Sequence, residues 1–405
     1  MNTSAPLGDR WPIRFNEVAL LGAILLTILL TMAIDQNHSY LKDPWVSAVD
    51  IARNTALLGI FSLGAAVVII AGGIDLSSGS MIAFSGTIAA SIMLALAPAE
   101  MRELKPVGSV VIVCALAGAI ISGLLIGTLH AWLITSIRLP PFIATLATLV
   151  GLRSFARALC EYTTSTFWSS KSAQINVYDP FFKVLREHVS IPVTVFIVLA
   201  LITWIILSMT VLGRHIYALG GNEQAARLSG IRTDNVKWFA YCFAATTAAI
   251  AGIFYVANES VAAPVNQGRG HELNAIAAAV VGGCSLQGGV GTVLGTVLGA
   301  LFLRVVIDAV AKVIKTGADV YEGLIVGIVV VIAVTFSQLS QIIASGNRLF
   351  AGALGICVIP VLALTAGSIV LMTAGDWGRT GGALTTIVTL GLLGGVKAYE
   401  SMRRA

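Results

Sequence analysis

Charge is what this 405-residue chain has least of: Asp, Glu, Lys and Arg together make up 11% of it, against roughly a quarter in an average soluble domain. The scarcity is uneven. Residues 106–137, 188–213, 274–303 and 349–375 contain no such residue, and each run is long enough to cross a bilayer. Cysteine is also sparse. The five, at 114, 160, 242, 284 and 357, are dispersed with no CxxC spacing, which excludes a cysteine metal site or a disulfide framework and leaves them as small buried hydrophobes. There is no GxxxxGK run and no HExxH, so the chain carries no phosphate-binding site for its own ATP hydrolysis and no zinc-protease signature. No cluster of His, Asp and Glu suggests a catalytic site, and neither a cofactor nor a metal is expected. Although the formal net charge is +5, the basic residues form no concentrated surface, which argues against a nucleic-acid partner and for loops that collect Lys and Arg on one side of a membrane.

What the chain has instead is 57% hydrophobic residues and 41 glycines, with a mean hydropathy of +0.90. A polytopic membrane protein in contact with lipid is the reading these values support. The first apolar run, 18–34, follows Arg10 and Arg14 but lacks a small-residue cleavage site before Asp35, so it reads as a retained helix. Further runs cover 56–71, 81–97, 107–134, 141–159, 191–211, 238–257, 323–336, 349–372 and 383–396, with a glycine-broken stretch at 274–310. If that stretch makes two passes, the total is twelve. Twelve passes place Arg10, Arg14, Arg138, the cluster Arg214, Arg227, Arg232 and Lys237, and Arg403 and Arg404 on one side, the cytoplasmic side by the positive-inside rule. The expected fold is all-α: a polytopic bundle of about ten core helices plus two C-terminal ones, with both termini cytoplasmic. Two loops of mixed charge with aromatics, 35–50 and 161–190, fall on the opposite side.

Two similar glycine patterns stand 210 residues apart. Gly72-Gly73-Ile74-Asp75-Leu76-Ser77-Ser78-Gly79 and Gly282-Gly283-Cys284-Ser285-Leu286-Gln287-Gly288-Gly289 share G-G-x-x-L-x-x-G. Glycine-broken segments expose backbone where a transporter handles solute, and repeated half-domains are common in such proteins. The twelve-pass count gives both motifs the same sense across the membrane, so the repeat is parallel, the count is off by one, or the likeness is accidental. Asp75 is the sole charge between Ala56 and Pro98. It needs a partner at that depth; capping the following helix and contacting solute are both open to it. Gly291, Gly295 and Gly299 share a helix face that suits close packing within the bundle or a dimer or pore surface.

The third feature is Leu212 to Ile231, LGRHIYALGGNEQAARLSGI. Glu223 to Leu228 are good helix formers, Asn222 can cap their start and Gly230 can end them. A helix this short is marginal alone, so a sharply bounded one outside the membrane suggests docking.

That segment resembles the ATPase-contacting loop of permease subunits of bacterial ABC importers for monosaccharides, the ribose, xylose, arabinose and galactose group. Three other stretches are similar to the same family: AGGIDLSSGSMIAFSG at 71–86, PFIATLATLVGLRSFA at 141–156 and ELNAIAAAVVGGCSLQGGVGTVLG at 272–295. The resemblance implies a cytoplasmic N-terminal segment at 1–17, a permease domain at 18–337, and an additional region at 338–405 with two transmembrane helices that usual members lack. It implies a coupling helix at 222–230 seated in a groove of a cytoplasmic ATP-binding cassette ATPase, with Arg214, Asn222, Glu223, Ala226, Arg227 and Gly230 at or near the contact. Gly72, Gly73, Asp75, Ser77, Ser78, Gly79, Gly282, Gly283, Ser285, Gly288 and Gly289 would then shape the translocation core. The implied setting is the bacterial inner membrane, as a permease homodimer receiving its sugar, a pentose such as xylose or ribose, from a periplasmic binding protein. Competing expectations are an ion-coupled secondary transporter, with Asp75 as its ion site, and a noncatalytic structural membrane subunit.

A membrane-impermeant thiol reagent should reach His215→Cys and Gln224→Cys only from the cytosolic face. Labelling from the opposite face would separate this segment from any cytosolic motor.

Overall fold

The computed structural model describes residues 15–35, 37–313, 323–324, 327–328, 331, 352–373 and 378–402. Arg10, Arg14, Arg403 and Arg404, and most of the apolar run at 323–336, lie outside the described residues. The chain divides into two compact units, 1–331 and 332–405. In the first, α1 (Phe15–Ile34) is followed by the short α2 (Ser39–Lys42), α3 (Pro44–Ile70), α4 (Ser78–Leu96), the short α5 (Pro98–Arg102), α6 (Ser109–Thr135) and α7 (Pro141–Trp168). After β1 (Ile175–Asn176) come α8 (Pro180–Glu187), α9 (Ser190–Met209), α10 (Val211–Gly221), α11 (Glu223–Leu228) and α12 (Thr233–Glu259), then β2 (Val261–Ala262), α13 (His271–Val281) and α14 (Val293–Val313). In the second unit, α15 (Gly352–Thr373) and α16 (Gly378–Met402) pack against each other, with a Cβ on Gly367 overlapping the Gly382 carbonyl.

Among the described residues, eight helices are long and apolar enough to span a membrane: α1, α3, α4, α6, α7, α9, α12 and α14. The bundle is all-α apart from the antiparallel pairing of β1 with β2, two residues each, in the loops at one end. The stretch 274–310 folds as two helices, α13 and α14, joined by a glycine turn.

Small residues decide which helices are inside. Along α12, Ala240, Ala244, Ala245, Ala248, Ala249, Ala251 and Gly252 are all buried, because α3 and α6 approach it at backbone distance. A Cβ on Gly64 of α3 would overlap Thr247, and one on Gly127 of α6 would lie 2.5 Å from the Cys242 Cα. Such close approach gives apolar helices the van der Waals contact that drives association where lipid supplies no hydrophobic force. Phe61, Leu58, Ile60 and Leu63 of α3 are fully buried in this centre. By contrast, α1, α7 and α9 lie at the periphery, each with only 22% of its candidate span buried. Three cysteines sit inside as expected, but Cys114 and Cys357 are exposed.

Polar contacts tie α1 and α2 to the two ends of α14. Thr292 Oγ1 donates to Glu17 Oε1 at 3.1 Å, and at the other end Tyr40 donates to Asp308 Oδ2 at 2.7 Å. Lys312 pairs with Asp308 and lies 4.8 Å over the Tyr40 ring. Burial, reinforced by the Asp308 carboxylate, pushes the Tyr40 phenol above its ordinary value. Between these helices, the Ser39 and Asn37 amides hold the Asp35 carboxyl down at about 2.

The chain between β2 and α13 is not helical. It runs inward as an irregular segment, 263–270, that reaches the middle of the bundle: Gln267 lies beside Gly86, about halfway along α4, and Arg153, about halfway along α7, donates to the carbonyls of Pro264 and Gln267 at 3.0 Å. Irregular backbone at this depth needs internal partners. Arg153 supplies them, together with the Asn266 and Gln267 backbone amides, which donate to the Ala263 carbonyl at 3.1 and 2.9 Å. Arg153→Leu keeps the bulk and removes the donors, leaving carbonyls unsatisfied at a cost of roughly 1–3 kcal/mol. Thermal unfolding followed by thiol-reagent access to buried Cys284 should shift to lower temperature in this variant.

Candidate functional site

The two glycine motifs meet in space. Gly289 N donates to the Ile70 carbonyl at 2.8 Å, and a Cβ on Gly288 would lie 2.8 Å from the Gly72 Cα. Gly72 ends α3 and Gly282 ends α13, and each motif turns the chain into the next helix, α4 or α14, at the same end of the bundle. The motifs therefore run in the same sense across the bundle, as the twelve-pass count expects of them. Positive φ values at Gly72 (81°), Gly283 (94°), Gly288 (87°) and Gly289 (71°) explain why these turns are written in glycine.

The third partner in this junction is α10. A Cβ on Gly220 would overlap the Ile70 carbonyl and lie 2.4 Å from the Gly289 N, and Tyr217 donates to the Gly291 carbonyl at 2.9 Å. The last turn of α10 is thus wedged, backbone against backbone, between both glycine turns. Neither Gly220 nor Tyr217 stood out from sequence, because a Gly-Gly pair closing a helix reads as an ordinary terminator.

From that wedge the chain passes directly into α11. Asn222 caps it, its side chain accepting from Ala225 N at 3.0 Å, and Gly230 leaves it with φ 85°. Buried Ala226 holds the helix against the bundle, and its carbonyl accepts from Ile231 N at 3.1 Å. Arg214 is exposed on α10, at the start of this handle. Glu223 and Arg227 are tied within the chain: Lys237 donates to Glu223 Oε1 at 2.7 Å, and Arg227 reaches Glu223, Thr233 and Asp234 at 3.4, 3.1 and 3.7 Å. A groove of about 340 Å³ runs alongside, lined by Arg227, Ile231, Arg232, Thr233, Asp234 and Asn235. The residue most available to a partner is Leu228, 90% exposed at the end of α11. Sequence reading took Leu228 as a helix former only; an isolated apolar residue on a polar loop was the signal.

In the first motif, Asp75 does not cap α4. Its Oδ1 accepts from the Ser77 amide at 2.8 Å and the Ser77 hydroxyl at 2.6 Å, closing a local turn upstream of the helix, and Ser77 occupies the cap position with no side-chain bond to the helix. The turn satisfies a carboxylate oxygen locally, a competition that short polar side chains often win over capping. The other oxygen, Oδ2, and the Ser78 hydroxyl are buried with no hydrogen-bond partner. Gly73 lies against the Tyr241 hydroxyl, and Gly79 against the Gly268 carbonyl and Glu272. In the second motif, Ser285 N donates to the Val290 carbonyl at 3.0 Å while its hydroxyl accepts from Gln287 N at 3.2 Å. Gly282 packs on Gly295, and Gly299 on the Ala278 carbonyl, so much of the small-residue face of α14 is consumed by α13 of the same chain.

This arrangement, a surface handle rigidly joined to paired turns of a membrane bundle, is what the comparisons with known proteins bear on. A family model described as the permease component of the branched-chain amino acid transport system matches residues 47–334. The chain belongs to this permease family. The permease is 34% identical over 305 residues to the ribose import permease protein of Escherichia coli K12, covering 75% of this chain and 89% of that one. It is 31% identical over 318 residues to the ribose import permease protein of Bacillus subtilis (78% and 91%). Identity to the galactose/methyl galactoside import permease protein of E. coli K12 is 27% over 329 residues (78% and 93%). No solved structure matches. The wedge, the handle and the irregular segment of the permease all lie within the matched residues.

Replacing Gly220 by alanine should separate the wedge from the turns and lower the thermal midpoint, by roughly the 1–3 kcal/mol typical of overpacking. Gly221→Ala, with nothing within 4 Å of the added carbon, is the neutral control in the same melt.

Proposed function

We propose that the chain is the membrane-spanning subunit of an ATP-driven importer for a monosaccharide, a pentose such as ribose or xylose, and that α11 is the handle by which a separate cytoplasmic ATPase moves it. The observation that carries this reading is the wedge of α10 between the two glycine turns: a push on α11 reaches the ends of α3, α4, α13 and α14 through backbone contacts that side-chain rotation cannot absorb. ATP binding by the motor would shift these elements as rigid bodies and alternate the access of the path. The sugar rather than amino acid assignment rests on the relatives above, which are named for ribose and galactose.

The handle end carries Arg138, Arg214, Arg227, Arg232 and Lys237, which supports placing it in the cytoplasm. The opposite end, with α2, α5, α8 and the β1–β2 pair, would face a periplasmic binding protein in a bacterial inner membrane. Twelve crossings with cytoplasmic termini, a pairing of two copies, and a permease domain at 18–337 followed by an extra helical region complete the proposal. Within it, Arg214, Asn222, Glu223, Ala226, Arg227 and Gly230 form or support the motor contact. Gly72, Gly73, Asp75, Ser77, Ser78, Gly79, Gly282, Gly283, Ser285, Gly288 and Gly289 form the moving core.

Proteoliposomes holding the chain with its ATPase and binding protein should accumulate ribose or xylose only when ATP is supplied. Solute flux by the chain alone, driven by an ion gradient and indifferent to ATP, would overturn the proposal. Glu223→Arg reverses a charge at the handle and Leu228→Asp removes its exposed apolar residue. Glu223 is 40% and Leu228 90% exposed, so both variants should insert and fold normally yet bind the ATPase more weakly in a pull-down from detergent. Full binding and full transport by Glu223→Arg would remove that residue from the contact.

A further inference from the structure

A peripheral helix of a membrane bundle should turn an apolar face outward, and α7 does so only in part. Arg153, Arg157 and Glu161 follow one another at intervals of four, forming one row along the half of the helix that leads toward β1. Arg157 pairs with Glu161 at 2.8 Å and is 59% exposed, and Lys171, beyond the helix, reaches the same carboxylate at 3.2 Å. At its inner end the row meets the irregular segment. Arg153 grips the carbonyls of Pro264 and Gln267, while Asn266 and Arg269 of that segment are exposed and Glu272 follows in the first turn of α13. Arg153 stands near the midpoint of α7, and the segment that it grips passes the midpoint of α4. Charged and amide side chains exposed at that depth are costly against lipid, and irregular backbone there is tolerated only when it is buried in protein or lines water.

We infer that the row Arg153, Arg157 and Glu161 of α7, together with Asn266, Arg269 and Glu272, is a polar track lining the outer half of the solute path, and that it takes a neutral polyhydroxylated solute. The row begins at the β1–β2 end, where the external loops are, and stops at the break before α13. Three arginines, two glutamates and an amide supply donors and acceptors side by side, and charges of both signs lie close together. Such a surface trades hydrogen bonds with hydroxyl groups and offers no site of a single sign for an ion. The inference deepens the importer reading, because it says where the sugar travels, and it rests on that reading for the identity of the solute.

The test uses the assembled transporter in proteoliposomes, in a background with exposed Cys114 and Cys357 changed to serine. Ser154→Cys, next to Arg153 and exposed, and Asn266→Cys are compared with Ile197→Cys on α9, which is 59% exposed with no charged residue on its helix. A charged, membrane-impermeant methanethiosulfonate added from the external side should modify the two track cysteines on the order of tenfold faster than Ile197→Cys, since only a water-lined site sustains the reactive thiolate. Ribose present during turnover should slow both reactions. Modification no faster than at Ile197→Cys overturns the track. So does spontaneous disulfide formation between two copies at Ser154→Cys without reaction toward the reagent, which would make this face a dry contact. If Asn266→Cys fails to assemble, Ser154→Cys carries the test. Ribose uptake measured on the same vesicles separates the two claims: fast modification without uptake of any sugar defeats the importer reading alone, and normal uptake with slow modification defeats the track alone.

Discussion

Inside a bilayer the backbone has no water to bond with, and that constraint organises this molecule. Among the described residues, the eight helices long and apolar enough to span meet it in the ordinary way. One exception is the segment before α13, whose carbonyls are satisfied by a guanidinium from α7. Interrupting a helix at this depth requires a donor nearby, and placing an arginine there requires acceptors nearby. Arg153 and the irregular segment therefore justify each other.

The glycine turns follow the same logic in another form. Where α3 meets α10 and the α13–α14 turn, a main-chain hydrogen bond from Gly289 to Ile70 links segments about 220 residues apart in sequence. Side chains would prevent that bond, since a Cβ on Gly220, Gly288 or Gly289 would fall within 3 Å of neighbouring main chain. In the proposed importer this junction would join the part of the chain that meets the motor to the part that handles solute.

Much of this was legible in the amino-acid sequence. Charge-free runs gave the membrane class, Asn222 and Gly230 marked the bounds of α11, and the repeated glycine pattern identified two segments that the structure brings into contact. What escaped was set by tertiary neighbours. Capping is one of the roles the sequence leaves open to Asp75, but Ser77 two residues on offers both an amide and a hydroxyl. The row on α7 was hidden by averaging, since Arg153 and Arg157 are two charges in a long, otherwise apolar stretch, and only their four-residue spacing sets them on one face. The irregular segment 263–270 carries no strong signal of its own, because its depth is defined by α4 and α7 rather than by its residues.

The wedge at Gly220 also separates two kinds of evolutionary freedom. In the proposed importer the surface of α11, built from side chains, can be rewritten to suit a different ATPase while the rigid junction behind it, made of main chain, stays as it is. A lineage could exchange motors by drifting at Leu228 and its neighbours, whereas any residue larger than hydrogen at Gly220 would change the mechanics for every motor alike.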